Sequence, residues 1–180
     1  MNEFPLPAYS VIKYDNPNDI ETLAIKYAQK RIKRNSELHK TAPEYDRGTL
    51  ATSVDELGIA AELIGLEFLK NNNIPFNALD VFEERPIKEA DVFIGDSKID
   101  IKGVRIDNQN LSVNRKAHFQ KDVTHYWFIK PFRNEEGKLN GEAEFWTISA
   151  VYVSLWSVNN TSFTPYFYKE IAQIQKSDEK

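Results

Sequence analysis

The chain has 180 residues, 41% of them hydrophobic, with a formal net charge of −4 and no cysteine; this suits one domain with a core large enough to fold without staples. The missing thiols exclude disulfides, zinc–thiolate centres and thiol nucleophiles, and favour a reducing, cytoplasmic setting. No apolar run approaches the roughly 20 residues that span a bilayer, and the first residues do not pattern as a signal peptide.

Taken in chain order, residues 19–34 have helical periodicity. Asn18, with Glu21 three positions on, resembles a capping box, and Ile20, Leu23, Ala24, Tyr27 and Ala28 form an apolar stripe. Lys26, Lys30, Lys33 and Arg34 form a second stripe, and residues 26–40 hold six Lys/Arg against the single acid Glu37. Such a stripe is either a solvated face or a phosphate-contacting one, and the mild argument that net charge makes against nucleic acid hides this local pattern. Residues 35–52, with Pro43 and Gly48, read as a loop.

A second helix is expected from Ser53, where Glu56 completes another capping box, to about Lys70. Asn71, Asn72, Asn73 and Pro75 stop it. Between Leu57 and Leu66 every residue is apolar or Gly except Glu62. A helix apolar on all sides is buried, so Glu62 points into the protein or into a cleft. A buried lone carboxylate is costly unless it is paired or bound to a metal, and Arg105 is a candidate partner.

Strands are expected at 78–82, 90–94 and 98–106. The last two read as a tight hairpin. Val92, Ile94, Ile99 and Ile101 share one face, and Asp91, Asp100 and Lys102 share the other. Gly95-Asp96 suits a two-residue turn, which pairs Ile94 with Ser97, Val92 with Ile99 and Asp91 with Asp100, about 5 Å apart at Cβ. Opposed carboxylates repel, so the arrangement needs compensation, for which a divalent metal is the obvious candidate. The blander readings are Asp91 as a turn cap and Asp100 with Lys102 as an exposed ion pair worth under ~1 kcal/mol. Asp80 is an alternative to Asp91 as a metal ligand.

Further on, the polar segment 107–122 is expected to hold a short helix at 113–121. A strand at 125–132 is ended by Pro131, a turn occupies 135–138 and a strand 144–149. The tail adds a short helix and then a strand or helix, and 176–180 fray. His39, His118 and His125 lack the spacing of a zinc helix and read as surface or strand positions. With no Gly-rich phosphate loop and no G-x-S-x-G, neither a nucleotide cofactor nor serine esterase chemistry is supported. The expected fold class is α/β (α+β): one mixed central sheet flanked by helices, in the core order helix-strand-strand-strand-helix-strand.

Gly58-Ile59-Ala60-Ala61-Glu62, Asp91 and Asp100-Ile101-Lys102, in that element order, resemble the PD-(D/E)xK nuclease superfamily and its restriction-endonuclease-like fold. Members of that family carry a Glu on a helix, an Asp at the start of one hairpin strand and (D/E)-x-K on the next. The resemblance covers residues 53–132. Ala90 stands where the family's Pro would be, and the spacing from Asp91 to Asp100 is short, as a tight hairpin permits. Asp96-Ser97-Lys98, Glu136-Gly137-Lys138 and Asp178-Glu179-Lys180 also fit (D/E)-x-K, but only 100–102 lies in an alternating apolar strand with an acid across the hairpin.

The resemblance implies a Mg²⁺-dependent endodeoxyribonuclease, with Mn²⁺ as substitute, that hydrolyses DNA by metal-activated water. Asp91, Asp100, the Ile101 carbonyl and Glu62 would hold the metal, and Lys102 would orient the water. Lys26, Lys30, Lys33 and Arg34, with Arg115, Lys116, Gln120 and Lys121, would contact the nucleic acid. In relatives the helix after the hairpin often sends a Gln or Lys toward the scissile phosphate, which here means Gln120 or Lys121. The organisation implied is a single domain: an N-terminal helical extension with the basic helix (1–52), a catalytic core (53–132) and a C-terminal sheet/helix addition (133–180). RNA is an alternative substrate, and cutting both strands of a duplex favours a homodimer. The alternative function is a catalytically inactive module of this fold that binds nucleic acid or a protein partner.

Overall fold

Strand β4 (Ser97–Gly103) sorts its residues to two sides. Ile99 and Ile101 enter one apolar core, while the side chains of Asp100 and Lys102 lie on the opposite face. The computed structural model describes residues 8–39, 51–80, 89–161 and 164–177. In these, β4 is part of a six-stranded sheet of order β1-β7-β6-β4-β3-β2. The strands are β1 (Tyr9–Lys13), β2 (Asn77–Ala78), β3 (Val92–Ile94), β6 (His125–Arg133) and β7 (Leu139–Ser149) with β4. β4 and β6 run parallel and the other neighbours antiparallel, so the sheet is mixed.

Helices α1 (Pro17–His39) and α2 (Ala51–Asn71) cover one face of this sheet. Ala24, Ala28, Ile59, Ala61 and Ile64 pack there against Ile99, Ile101, Trp127, Ile129 and Phe145. The other face carries Tyr126, Phe128 and Trp146, packed against a second, three-stranded sheet, β5-β9-β8. That layer comprises β5 (Asn110–Asn114), β8 (Ser157–Asn159) and β9 (Tyr166–Glu170), with the short helices α3 (Arg115–Gln120), α4 (Ala150–Val153) and α5 (Ile171–Ser177). Among the described residues no helix is long and apolar enough to cross a membrane.

The expected mixed α/β class holds, and several local expectations are corrected. The described residues form two sheets where one was expected. β5 falls in the segment read as polar because only Leu111 and Val113 are buried on it, too few for alternation to register. β1, unforeseen, pairs with β7. Pro131 does not end its strand: β6 runs on to Arg133. The Ile129 carbonyl accepts from Val104 N (2.8 Å) on the β4 side, so by alternation the nitrogen of Pro131 faces that side, beyond the end of the β4 ladder, where no donor is needed. β4 itself stops at Gly103, three residues short of the expected end.

Asn18 is not the cap of α1. The helix starts at Pro17, a position that suits Pro, with Asn16 at φ 55° before it and the Asn16 carbonyl accepting from Ile20 N at 3.0 Å. Glu21 is drawn away to Arg133 (2.7 Å) and to Leu139 N (3.2 Å), so tertiary partners displace the local capping box. α2 ends as expected: Asn73 takes φ 53°, and Ile74 N donates to the Leu69 carbonyl at 3.0 Å. Two expected bounds move: α1 runs on to His39 through the start of the loop expected at 35–52, and α2 begins at Ala51, so Ser53 lies inside the helix and does not precede it. Residues 40–50 of that loop, the side chain of Ser53 and residues 81–82 of the strand expected at 78–82 lie outside what is described, and residues 79–80 of that strand are not in a ladder. β2 covers only Asn77–Ala78.

One close approach sets the distance between α2 and the end of β4. A Cβ on Gly103 would lie 2.7 Å from Leu57 Cγ and 2.8 Å from the Leu57 carbonyl oxygen. Part of that obstacle is helix backbone, which cannot rotate away. Gly103→Ala is therefore expected to destabilise the protein by roughly 1–3 kcal/mol, read as a lower urea midpoint at unchanged m-value.

Candidate functional site

The hairpin β3–β4 forms in the expected register. Ile94 pairs with Ser97 and Val92 with Ile99, and Gly95 takes φ +54° at the turn. The ladder stops at Val92. Asp91 continues it differently: its N–H donates to the Ile99 carbonyl (2.8 Å), and its Oδ2 accepts from the Ile101 N–H (2.7 Å). Asp91 thus caps the edge of β4 where β3 has run out. The Ile101 carbonyl points to the same side of the strand as its N–H, past the end of β3.

Asp100 is fully buried. Its Oδ2 lies 2.5 Å from Lys102 Nζ, and its Oδ1 accepts from Lys121 Nζ. The compensation for which a metal was the expected candidate is supplied in this arrangement by two ammonium groups. Burial pushes the Asp100 carboxyl up, but Lys102 and Lys121 outweigh it and hold the group below its ordinary value. Burial likewise pulls Lys102 down, and the Asp100 charge outweighs that and raises it. Asp91 behaves oppositely. Burial, then the charges of Asp100 and Glu62, push its carboxyl up to about 7. Asp91 thus feels the charge of both other acids.

Glu62 is buried, as its position on an apolar helix requires. It lines an open cavity of about 440 Å³ together with Asp91, Asp100, Ile101 and Lys102. α2 supplies one wall through Val54, Leu57 and Gly58, and the shortness of β3 leaves the edge of β4 open to it. A smaller cavity of about 210 Å³ lies on the β5–α3 side and shares Asp100, Lys102 and Lys121 with the first.

Of the cationic residues singled out in the sequence, Lys102, Arg105 and Lys121 line these cavities. Lys26 and Lys30 lie 5.8 Å and 4.9 Å from the centre of the Tyr27 ring, away from the cavity wall, and Lys33 and Arg34 are not part of that wall either. Arg115 sits over Phe119 at 6.0 Å, and Lys116 and Gln120 are exposed on α3. Arg105 pairs with Asp107 (3.2 Å), and Asp80 is exposed and off the cavity wall. His118, read as a surface or strand position, is buried on α3: Nδ1 lies 2.9 Å from Tyr126 Oη and Nε2 2.9 Å from Ser154 Oγ. Burial lowers its pKa. The ring sits at the seam between α3, β6 and α4, a junction that only the tertiary fold creates. His125 is on β6 as expected.

Sequence reasoning missed Arg31, Asp55 and Asn108 in the cavity wall. Two of them left a signal. Asp55 lies seven residues before Glu62, on the same face of α2, and Arg31 follows Ala24 and Ala28 on the apolar stripe of α1. They meet as an ion pair at 3.6 Å, with Asp55 buried.

Glu62, Asp91 and Asp100 offer the hard oxygen donors that Mg²⁺ takes, and the crowding of like charge around Asp91 is what such an ion relieves. Among the described residues, no three His, Cys, Asp or Glu side chains already close into a set that could hold a metal ion. Asp100 is engaged by its two lysines. No protein family, curated protein or solved structure matches this chain.

The raised Asp91 carboxyl has a stability signature. Between its ordinary value near 4 and about 7, the folded protein binds a proton that the unfolded chain releases. Stability contributed at this site therefore falls as pH rises across that window and is level above it. Asp91→Asn mimics the neutral form and keeps an acceptor for Ile101 N. Its unfolding free energy relative to the unsubstituted protein, read from urea denaturation, is expected to climb from pH 4 to 7 and then plateau, by an amount on the order of a few kcal/mol at most.

Proposed function

We propose that this chain is a metal-dependent nuclease of restriction-endonuclease-like fold that hydrolyses phosphodiester bonds of DNA. The observation that carries the reading is the shared cavity wall. The helical acid Glu62, the hairpin acids Asp91 and Asp100, and Lys102 all line one open space, although they come from α2, from the residue before β3 and from β4. The residues also respond to one another, since Asp91 is raised by Glu62 and Asp100, and Lys102 by all three acids.

In this proposal Asp91, Asp100 and Glu62 hold Mg²⁺, with the Ile101 carbonyl as a further ligand. When bound, the ion would polarise the phosphate and lower the pKa of a coordinated water. Lys102 orients the attacking water and balances charge developing on the phosphoryl oxygens. Asp91, already hydrogen-bonded to the strand backbone, holds the edge of β4 in place. Lys121 binds the non-bridging oxygens once it releases Asp100. Cutting both strands of a duplex takes two such sites, hence two copies of the chain.

A second reading is a catalytically silent module of the same fold that binds nucleic acid or a protein. It is favoured by the pairing of Asp100 with two lysines, which already neutralises the acid a metal would need.

Cleavage assays on plasmid DNA, single-stranded DNA and structured RNA separate these readings. With Mg²⁺ or Mn²⁺ the full chain is expected to cut DNA, and Lys102→Ala and Asp100→Asn to lose roughly 10²–10³-fold in rate. Metal is also expected to raise the melting temperature, by mass action on the folded state. Metal-dependent cutting that is unchanged in Lys102→Ala would refute the assignment. No cutting and no metal-induced stabilisation would leave the silent module.

A further inference from the structure

Four cations line the larger cavity: Arg31, Lys102, Arg105 and Lys121. Three have buried partners. Lys102 and Lys121 hold the fully buried Asp100, and Arg31 reaches the buried Asp55. Arg105 differs. It pairs with Asp107, two residues away, and both side chains are more than half exposed, at 55% and 66%. An exposed pair of this kind is worth little and exchanges at little cost.

The geometry of that pair is informative. Nε lies 3.2 Å from Oδ1 of Asp107, and Nη2 lies 3.3 Å from Oδ2. The guanidinium already presents two parallel donors to a two-oxygen anion at the cavity wall. A phosphodiester offers its two non-bridging oxygens to the same fork. The backbone beneath is held in place. Val104 is buried and donates to the Ile129 carbonyl at 2.8 Å, Asn108 N donates to the Arg105 carbonyl at 3.0 Å, and Lys130 Nζ donates to the Asn108 carbonyl at 3.1 Å. Arg105 is therefore an exposed side chain on a fixed platform, where β4 leaves the sheet beside Lys102.

We infer that Arg105 is the phosphate anchor of this cavity, and that Asp107 is a built-in competitor occupying the anchor until a DNA backbone displaces it. The inference rests on the nucleic-acid reading above and adds to it the residue that grips the backbone beside the acids. Asp107 stands in for the phosphate: it fills the fork in the free protein and repels an approaching backbone by its charge.

The test is the sign of two substitutions that break the same ion pair. Binding of a fluorescein-labelled DNA duplex to the full chain is followed by anisotropy across a salt series, with calcium in place of magnesium. Arg105→Gln is expected to weaken binding roughly tenfold and to lower the salt slope by about 0.9, one phosphate's worth. Asp107→Asn is expected to tighten binding about two- to fivefold, the range that freeing an exposed pair allows. Lys138→Gln, which breaks the exposed Lys138–Glu136 pair (3.4 Å) in the β6–β7 turn, serves as the control and is expected to change neither quantity. Both test side chains are exposed, so neither change removes core contacts.

A merely structural ion pair moves both variants the same way or not at all, and either result overturns the inference, as does a chain that binds no DNA. Opposite shifts without any cutting in Mg²⁺ leave the anchor standing and remove the nuclease. Cutting with unshifted binding removes the anchor and leaves the nuclease. Preference for an RNA duplex over DNA, with neither variant shifting DNA binding, also overturns the inference as stated.

Discussion

Asp100 carries a carboxylate out of water, at a position with no measurable exposure, and its charge must be answered inside the protein. Lys102 answers from the same strand and Lys121 from the segment after α3. That requirement ties elements that are otherwise separate. β4 supplies the acid, and the residues following α3 must approach closely enough to deliver an ammonium group. Removing one partner of such an arrangement leaves an uncompensated charge, a cost far larger than any surface pair imposes. The placement of α3 is correspondingly over-determined. Asn114 caps it through Ala117 N (2.9 Å), and His118 bridges Tyr126 and Ser154.

The second organising feature is the edge of the sheet. β3 is three residues long, so among the described residues β4 is met beyond Val92 on that side by Asp91, through its N–H to the Ile99 carbonyl and its side chain to the Ile101 N–H. Side chains from both faces of β4 can therefore meet around the open edge. Gly103 lets α2 come close enough for Glu62 to join them, since any side chain there would strike Leu57. The cavity is a consequence of a strand that ends early and a glycine that permits close packing. It is not a groove between domains.

The charges of the cavity are arranged unevenly. Acids gather where the edge of β4 is open, and their mutual repulsion shows in the raised carboxyl of Asp91. Cations surround them, two engaged with Asp100, one with Asp55 and one with an exposed neighbour. A chain of net charge −4 thus presents a local mixture suited to a hard cation and an anionic backbone together. This is the physical basis of the proposed nuclease and of the separate role inferred for Arg105.

The sequence alone determined the hairpin, because Val92, Ile94, Ile99 and Ile101 at alternate positions about a Gly-Asp turn favour one register, and a one-residue slip would drive Asp100 into the apolar core. It also determined that Glu62 would be inward-facing, since an apolar helix leaves a lone acid no other place. These are local patterns with periods of 2 and 3.6, and they can be read without partners. Only the tertiary structure decided what the acids would meet. Lys121 lies 21 residues from Asp100, Arg31 lies 24 from Asp55, and Arg133 draws Glu21 out of its capping box across 112. The strand β5, the continuation of β6 through Pro131 and the burial of His118 depend in the same way on neighbours far along the chain, because pairing and burial energies are set by what packs opposite a residue and not by its own propensity.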